Sequence, residues 1–371
     1  MADIKKPLPE LFHLPLESYT TRYTELMSGP EGWSAKRLAP HFDLNRIEPD
    51  DKTHVAVIQN GRVLDSVNRP LWALEQIKIL LRESDGGAVF LEDFFHPGVE
   101  SLMYSGRQYN LYSFCWAQSF DRFDFTREMP WMRSYEAMML SSARKTFVAS
   151  PILQDLILCA FPSLTEREIP YVGLPFDVKA VRSLFDPEME PEPIQVVFSS
   201  RFDKEKQPNF FLDVVEMMPD VKFAICTGHT ELKGNDYGAV ARANALLDRA
   251  KNNLTLYKGV TKAEYYSVLK NAKVQFNCSL QDWVSFTLLE SLTHGCLPCY
   301  PLYRDFAHVF AKCSHFCYDP FVQESACSHI AFLLESEHTA ADRKPLQDIL
   351  DFHDGTYDRI AEHIRIDIAN T

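Results

Sequence analysis

Apolar residues along this chain recur with two periods, short continuous or alternating runs and longer stretches at helical spacing, and the two kinds take turns. ELFHLPLE (10–17) reads as a first strand, and SYTTRYTELMSG after it as a loop running into a helix. HVAVIQNGRVLDS (54–66) reads as a hairpin turning at Asn60-Gly61. RPLWALEQIKILLRES is then a helix, and GGAVFLEDFF a buried strand ending in Asp93, Phe94, Phe95, His96 and Pro97. YNLYSFCWAQS is a strand ending at Trp116, Ala117 and Gln118, followed by MPWMRSYEAMMLSSA as helix, KTFVAS as strand, PILQDLILCAF as helix and IPYVGLP as one more strand. Strands that alternate with helices predict a parallel sheet wrapped in helices.

FDPEMEPEPI (185–194) interrupts the alternation with three prolines and four acids, the composition of a domain boundary. Beyond it the pattern restarts. IQVVFSSRF, VKFAICTGH, NLTLYKG and KVQFNCSL read as strands, separated by PNFFLDVVEMMP, AVARANALLDRAKN and KAEYYSVLKNA as helices. LPCYPL and CSHFCYD are candidate further strands, and the tail from Pro320 is helical in pattern. The expected organisation is residues 1–187, residues 188–355, and a last helix in 356–371 packing back on the first domain. A chain of 371 residues exceeds the size at which single cores stop growing, which favours the same division.

Composition narrows the function classes. With 46% apolar and 24% charged residues the chain is an ordinary globular protein. A net charge of −13 argues against whole-surface affinity for nucleic acid or anionic membrane, which needs many Lys and Arg contacts to phosphate. No apolar run approaches the roughly 20 residues that span a bilayer. Nine scattered cysteines and no apolar leader after MADIKKPLPE point to a cytoplasmic setting with free thiols. Cys296/Cys299 and Cys313/Cys317, with His294, His315 and His329 nearby, have loosely metal-like spacing, but packing is the stronger reading, and no metal is expected.

Candidate chemistry gathers in the second half. Arg201 and Lys206, with four residues between them in SSRFDKEKQP, lie on a strand-to-helix loop, where two cations and a helix N-terminus can meet one diphosphate. In QDWVSFTLLESLTHGCLP (281–298), Asp282 precedes Glu290 by seven intervening residues around a helix start, with Gly295 and Pro298 as stop signals. Taken alone, the better reading of each stretch is the ordinary one, a solvated charged loop for SSRFDKEKQP and an amphipathic helix with two surface acids for 281–298. All four residues, however, fall at carboxyl ends of expected strands or starts of helices, which share one edge of a parallel sheet. In the first half, the loop holding Thr21 and Arg22 lies at such an end but lacks phosphate-cradling glycines.

From about Ile194 to Pro301 these motifs resemble the C-terminal domain of retaining GT-B glycosyltransferases of family 4. SSRFDKEKQP is similar to that family's Arg-x4-Lys loop, and DWVSFTLLESLTHGCLP to its paired-acid motif with seven residues between the acids. FAICTGH, LTLYKGV and AEYYSVLKNAKVQFNCSL resemble the intervening landmarks, in order. The resemblance implies an α/β fold of GT-B architecture, two Rossmann-like doubly wound parallel-sheet domains facing across a cleft. It implies a metal-independent enzyme without cofactor whose co-substrate is a nucleotide-diphosphate sugar, taken as a UDP-sugar. Arg201 and Lys206 would meet the leaving diphosphate, and Glu290 the ribose. Asp282 would face the sugar, backbone N–H groups of Val284, Ser285, Phe286 and Thr287 would contact sugar or phosphate, and Gly228, Gly259 and Val260 would flank the nucleotide. Asp282 in place of a glutamate, Ser285 in place of a glycine and Gln207 in place of the glycine after the lysine are departures. The N-terminal half resembles the family less: the histidine usual near Trp116 is absent. His96 is the candidate catalytic group on that side, with Thr21, Arg22, Trp116 and Gln118 toward the acceptor, Asp121 behind, and Trp131 as a possible aromatic platform. The acceptor classes implied are a cell-envelope glycan or glycolipid, or a hydroxylated base of phage DNA. The rival of a different class is a non-catalytic nucleotide- or glycan-binding adaptor.

Overall fold

The computed structural model of the chain describes every residue except 1–6, 16–25, 28–31, 50–57, 60, 61, 64, 117, 192 and 371, and of residues 58, 59, 62, 63, 65–70 and 125 the backbone alone. The chain divides into two compact units, Met1–Phe176 with Gly355–Thr371, and Asp177–Asp354.

The first unit holds a five-stranded parallel sheet of β1 (Glu10–Leu14), β2 (Asp43–Arg46), β5 (Gly86–Leu91), β6 (Gln108–Cys115) and β7 (Lys145–Val148), in the order β2-β1-β5-β6-β7. A parallel sheet is covered on both faces, so its inner strands read as continuous apolar runs; Ala88 to Leu91 of β5 are all buried. Gly86 opens that strand at φ 140, where an added Cβ would meet Gln108 O at 2.6 Å, so no side chain fits. β3 (Ile58–Gln59) and β4 (Arg62–Val63) pair antiparallel as the hairpin reading expects, the turn itself lying outside the described residues. IPYVGLP, expected as a strand, contributes only a bridge between Tyr171 and Val148. Pro170 and Pro175 lack the N–H groups that a longer ladder needs. The helix Thr356–Ala369 belongs to this unit: Arg359 donates to Val172 O at 2.9 and 2.7 Å, and Lys145 pairs with Asp367 at 3.2 Å.

The first division falls between Phe176 and Asp177, ahead of the proline-rich stretch. Asp177 caps the helix Val178–Ser183, Val178 N donates to Asp354 Oδ1 at 2.8 Å, and Asp186 exchanges two hydrogen bonds with Ser267 at 2.9 and 2.7 Å. These bonds fasten residues 177–186 to the second unit before the prolines begin.

The second unit is a six-stranded parallel sheet of β8 (Val196–Phe198), β9 (Phe223–Thr227), β10 (Leu254–Lys258), β11 (Val274–Phe276), β12 (Leu297–Pro301) and β13 (Cys317–Tyr318). Its order is β10-β9-β8-β11-β12-β13, the third, second, first, fourth, fifth and sixth strands of the unit. This is the order of a dinucleotide-binding sheet, with its reversal between β8 and β11. Phe198 stacks on Phe211 at 4.2 Å and Phe210 on Phe276 at 6.4 Å, so the helix Pro208–Met217 is locked over the two strands at the reversal. Both units are thus Rossmann-like α/β sheets.

Candidate functional site

At a reversal of strand order the crossover helices leave on opposite faces, and the loops at the carboxyl ends part to leave a crevice. The loops after β8 and β11 occupy that position in the second unit. The first runs through a 3₁₀ turn, Lys204–Lys206, into Gln207 in the left-handed region (φ 48, ψ 51) and then Pro208 at the head of its helix. Lys206 is only 9% exposed. Its Nζ donates to Gln281 O at 2.6 Å and to Asp282 Oδ1 at 2.8 Å, partners a buried ammonium requires. Leu280 N donates to Glu205 O at 2.7 Å and Cys278 Sγ to Lys206 O at 3.3 Å, so the two loops are stitched along their length. Arg201, with a side chain 61% exposed, reaches Asp203 at 3.0 Å and Glu205 at 3.5 Å. Burial, reinforced by the Asp203 charge, holds the Glu205 carboxyl above its ordinary value.

The segment from Asp282 enters the helix Phe286–Thr293 through Ser285, which is extended at φ −84, ψ 129 and does not cap with its side chain. Its Oγ bonds instead with Thr287 Oγ1 at 2.6 Å, which in turn lies 3.4 Å from Tyr300 OH. Ser285 thus places no side-chain cap on the first turn, where Leu288 N donates to Ser285 O at 3.1 Å. Glu290, 1% exposed, accepts from Lys262 Nζ at 2.5 Å and Tyr266 OH at 2.8 Å, both on Oε1. Lys262 opens the helix Lys262–Asn271, whose start is fixed by a Thr261/Glu264 capping box. Just before it, Gly259 N donates to His229 O at 2.7 Å and Val260 N to Thr227 O at 3.3 Å, drawing the loops after β9 and β10, Gly228 among them, together. His294 stacks on Tyr266 behind Glu290 at 4.8 Å, and burial pulls its imidazole down to about 4.

Of the sequence candidates, Arg201, Lys206, Asp282, Val284, Ser285, Phe286, Thr287 and Glu290 lie on two stitched loops and one helix, and Gly259–Val260 joins them through Lys262. Sequence reading missed Lys262 and Tyr266. A signal exists: the capping box sets the helix start, which puts these two on one face at i,i+4 spacing. It also missed Arg304, whose guanidinium lies 4.5 Å over the Trp283 ring.

The acceptor-side candidates belong to the first unit. Thr21 and Arg22 lie outside the described residues. His96 is buried, its backbone N–H donating to Tyr135 OH at 2.9 Å. Trp116 Nε1 donates to Glu92 O at 2.7 Å. Gln118 is 0% exposed, and its amide finds no hydrogen-bond partner among the described residues. Asp121 Oδ1 accepts from Phe123 N at 3.0 Å. Trp131, 55% exposed, stands edge-on to Phe95 at 5.9 Å and Tyr135 at 6.4 Å.

Burial pushes the thiols of Cys296 and Cys317 up to about 12, and among the described residues no three His, Cys, Asp or Glu side chains form a group that could hold a metal. None of the described helices is long and apolar enough to cross a membrane.

By sequence, no family model and no curated protein matches the chain. Solved structures do match. Sucrose-phosphate synthase from Thermosynechococcus elongatus superposes with a TM-score of 0.69 at 12% identity, covering 98% of this chain and 100% of that one. An α,α-trehalose 6-phosphate synthase from Burkholderia multivorans gives 0.69 at 9% identity, covering 98% of each. A lipopolysaccharide outer core galactosyltransferase gives 0.60 at 14% identity, covering 96% and 99%. Two parallel Rossmann-like sheets, one with the strand order of dinucleotide-binding sheets, and superposition over nearly the full length of these enzymes together establish that the fold of this chain is GT-B.

Proposed function

We propose that this chain is a glycosyltransferase that moves a sugar from a nucleotide-diphosphate sugar, taken as a UDP-sugar, to an acceptor hydroxyl with retention of anomeric configuration. The observation that carries this reading is the meeting of Lys206 and Asp282, 76 positions apart in sequence and 2.8 Å apart in space, at the strand-order reversal of the second unit. In the reaction the bond from the anomeric carbon to the diphosphate oxygen breaks, negative charge collects on the diphosphate, and an acceptor oxygen bonds to the anomeric carbon as its proton passes to the departing diphosphate. Arg201, Lys206 and the first turn of the helix after Ser285 supply fixed positive charge for that anion, in a site where fixed charge needs little reorganisation. Asp282 faces the sugar hydroxyls, Val284–Thr287 present backbone N–H groups, Glu290 takes the ribose, and Gly228, Gly259 and Val260 flank the nucleotide. His96, with Thr21, Arg22, Trp116 and Gln118, is assigned to the acceptor side. No resident metal or cofactor is part of this reading.

A cell-envelope glycan or glycolipid is the acceptor class we favour over a hydroxylated base of phage DNA, because a net charge of −13 opposes a polyanion. Nine unbridged cysteines accord with a cytoplasmic setting. A second reading, a nucleotide- or glycan-binding adaptor without turnover, draws support from the way Lys206 and Asp282 neutralise each other. Turnover over a panel of nucleotide sugars separates the two. We expect Lys206→Ala to lower kcat/KM at least a hundredfold, the scale on which one electrostatic donor acts, and Glu290→Ala to lower it at least about tenfold through lost hydrogen bonds to the ribose, both with an unchanged circular dichroism spectrum. Normal turnover in both variants would sink the site assignment, and binding without turnover by the unaltered chain would favour the adaptor. Proton NMR of the product anomer tests retention.

A further inference from the structure

We infer that Arg304, which no motif marks, is a third cation of the nucleotide-diphosphate site and contacts the diphosphate directly; this rests on the donor-site reading above. Three observations carry it.

The first is position. Arg304 lies in the loop that follows β12, beside β11 in the sheet. Its Nη1 donates to Leu280 O at 3.1 Å and its guanidinium covers the Trp283 ring at 4.5 Å. Lys206 grips the same short segment from Gln281 and Asp282. The two cations therefore hold adjoining residues of the loop that leads into the helix Phe286–Thr293.

The second is backbone conformation. Arg304 sits at φ 51, ψ −127, a region that side chains other than glycine's rarely adopt and that the surrounding structure must enforce. A purely structural residue at such a position is better as glycine, which adopts positive φ without steric penalty. An arginine there is explained by what its side chain does.

The third is an unused donor at the same place. Trp283 Nε1 is buried, in a residue 5% exposed, and has no hydrogen-bond partner among the described residues. A buried N–H without an acceptor is costly, and a bound phosphate or sugar oxygen is an acceptor of the right kind. Arg304 Cζ lies over the indole face, where the ring's quadrupole attracts the cation, and the guanidinium fork suits bidentate contact with a phosphate.

The test uses the full chain and measures by calorimetry the binding of UDP, GDP, ADP and dTDP, each beside its own nucleoside. For Arg304→Gly we expect a higher melting temperature from relief of the backbone, together with at least a tenfold loss of affinity for the diphosphate that the unaltered chain binds best. The affinity of the matching nucleoside is expected to stay within twofold. Arg304→Gln, which keeps most of the side chain, should lose diphosphate affinity without the gain in melting temperature. Should the unaltered chain bind a nucleoside diphosphate and both variants bind it equally well, Arg304 only fastens the loop and the inference is wrong while the donor-site reading stands. Should the unaltered chain bind none of the diphosphates, the donor-site reading falls and takes this inference with it.

Discussion

At the scale of single residues, Gln207 shows how a departure in sequence becomes a physical quantity. The family resemblance puts glycine after the lysine, and the structure gives Gln207 φ 48, ψ 51, the left-handed conformation that glycine takes freely. A side chain there costs on the order of 1–2 kcal/mol, while glycine loses about 0.5–1 kcal/mol more backbone entropy on folding. Gln207→Gly is therefore expected to raise stability by about 0.5–1 kcal/mol, read as an increase in the urea midpoint at unchanged slope. A lower midpoint would mean that the Gln207 side chain makes contacts outweighing its backbone cost. The residues legible in sequence were those with fixed spacing inside one stretch: Arg201 and Lys206 on one loop, Asp282 and Glu290 around one helix start. Lys262, Tyr266 and Arg304 escaped because each joins the site from a separate stretch, and no spacing within a motif announces a contact made by tertiary packing.

At the scale of elements, the loops decide more than the strands. The strands of the second unit were readable because a parallel sheet buried on both faces demands apolar runs such as FAICT and LPCYP. β2, with the sequence DLNR, was missed: it lies at the sheet edge, half exposed, where no apolar run is required. The short helix Trp33–Leu38 before it was missed as well, being too brief to show a helical period. The loop after β8 depends on an approach that sequence patterning does not reveal. Phe202 N bonds to Lys233 O at 3.3 Å and Asp236 N to Phe202 O at 3.0 Å, while Asn235 exchanges bonds with Asp203 Oδ1 and Lys204 N, each at 2.8 Å. Between them Gly234 lies so close that an added Cβ would stand 1.9 Å from Phe202 O, a backbone atom with little room to yield. Gly234→Ala must then part the two loops, and a loss of about 2–3 kcal/mol in unfolding free energy is expected, at the upper end of single substitutions. On the proposed donor-site reading, weaker nucleotide-diphosphate binding should accompany that loss, because Arg201 and Lys206 lie on the same loop as Phe202. An alanine variant with unaltered stability would show that the 231–236 loop does not need its close seat.

At the scale of the whole molecule, burial of imidazoles ties the stability of both units to pH. His294, His329 and His338 in the second unit and His363 in the first are all held below their ordinary value, in each case chiefly by desolvation. A group whose folded pKa is depressed binds its proton more weakly in the native state, so the unfolded chain carries more protons across the interval between the two values. For His294 that interval runs from 6.5 down to about 4. Stability from these groups is complete above the ordinary histidine range and is lost as pH falls through it. Glu136 runs the other way: burial raises its carboxyl, so its contribution is present below 4.5 and declines as pH rises through its elevated folded value. It therefore partly offsets the acid loss as pH falls toward 4.5. His294 has the clearest depression, and its Nε2 is buried without a hydrogen-bond partner among the described residues. Discounted for the part of the ring that solvent still reaches, its share is about 1–2 kcal/mol. His294→Phe removes the titration and keeps a ring against Tyr266. Urea unfolding at pH 7 and pH 5 should show the difference between the two conditions shrinking in this variant. An undiminished difference would place the acid sensitivity elsewhere, with His329 and His363 the next to be replaced.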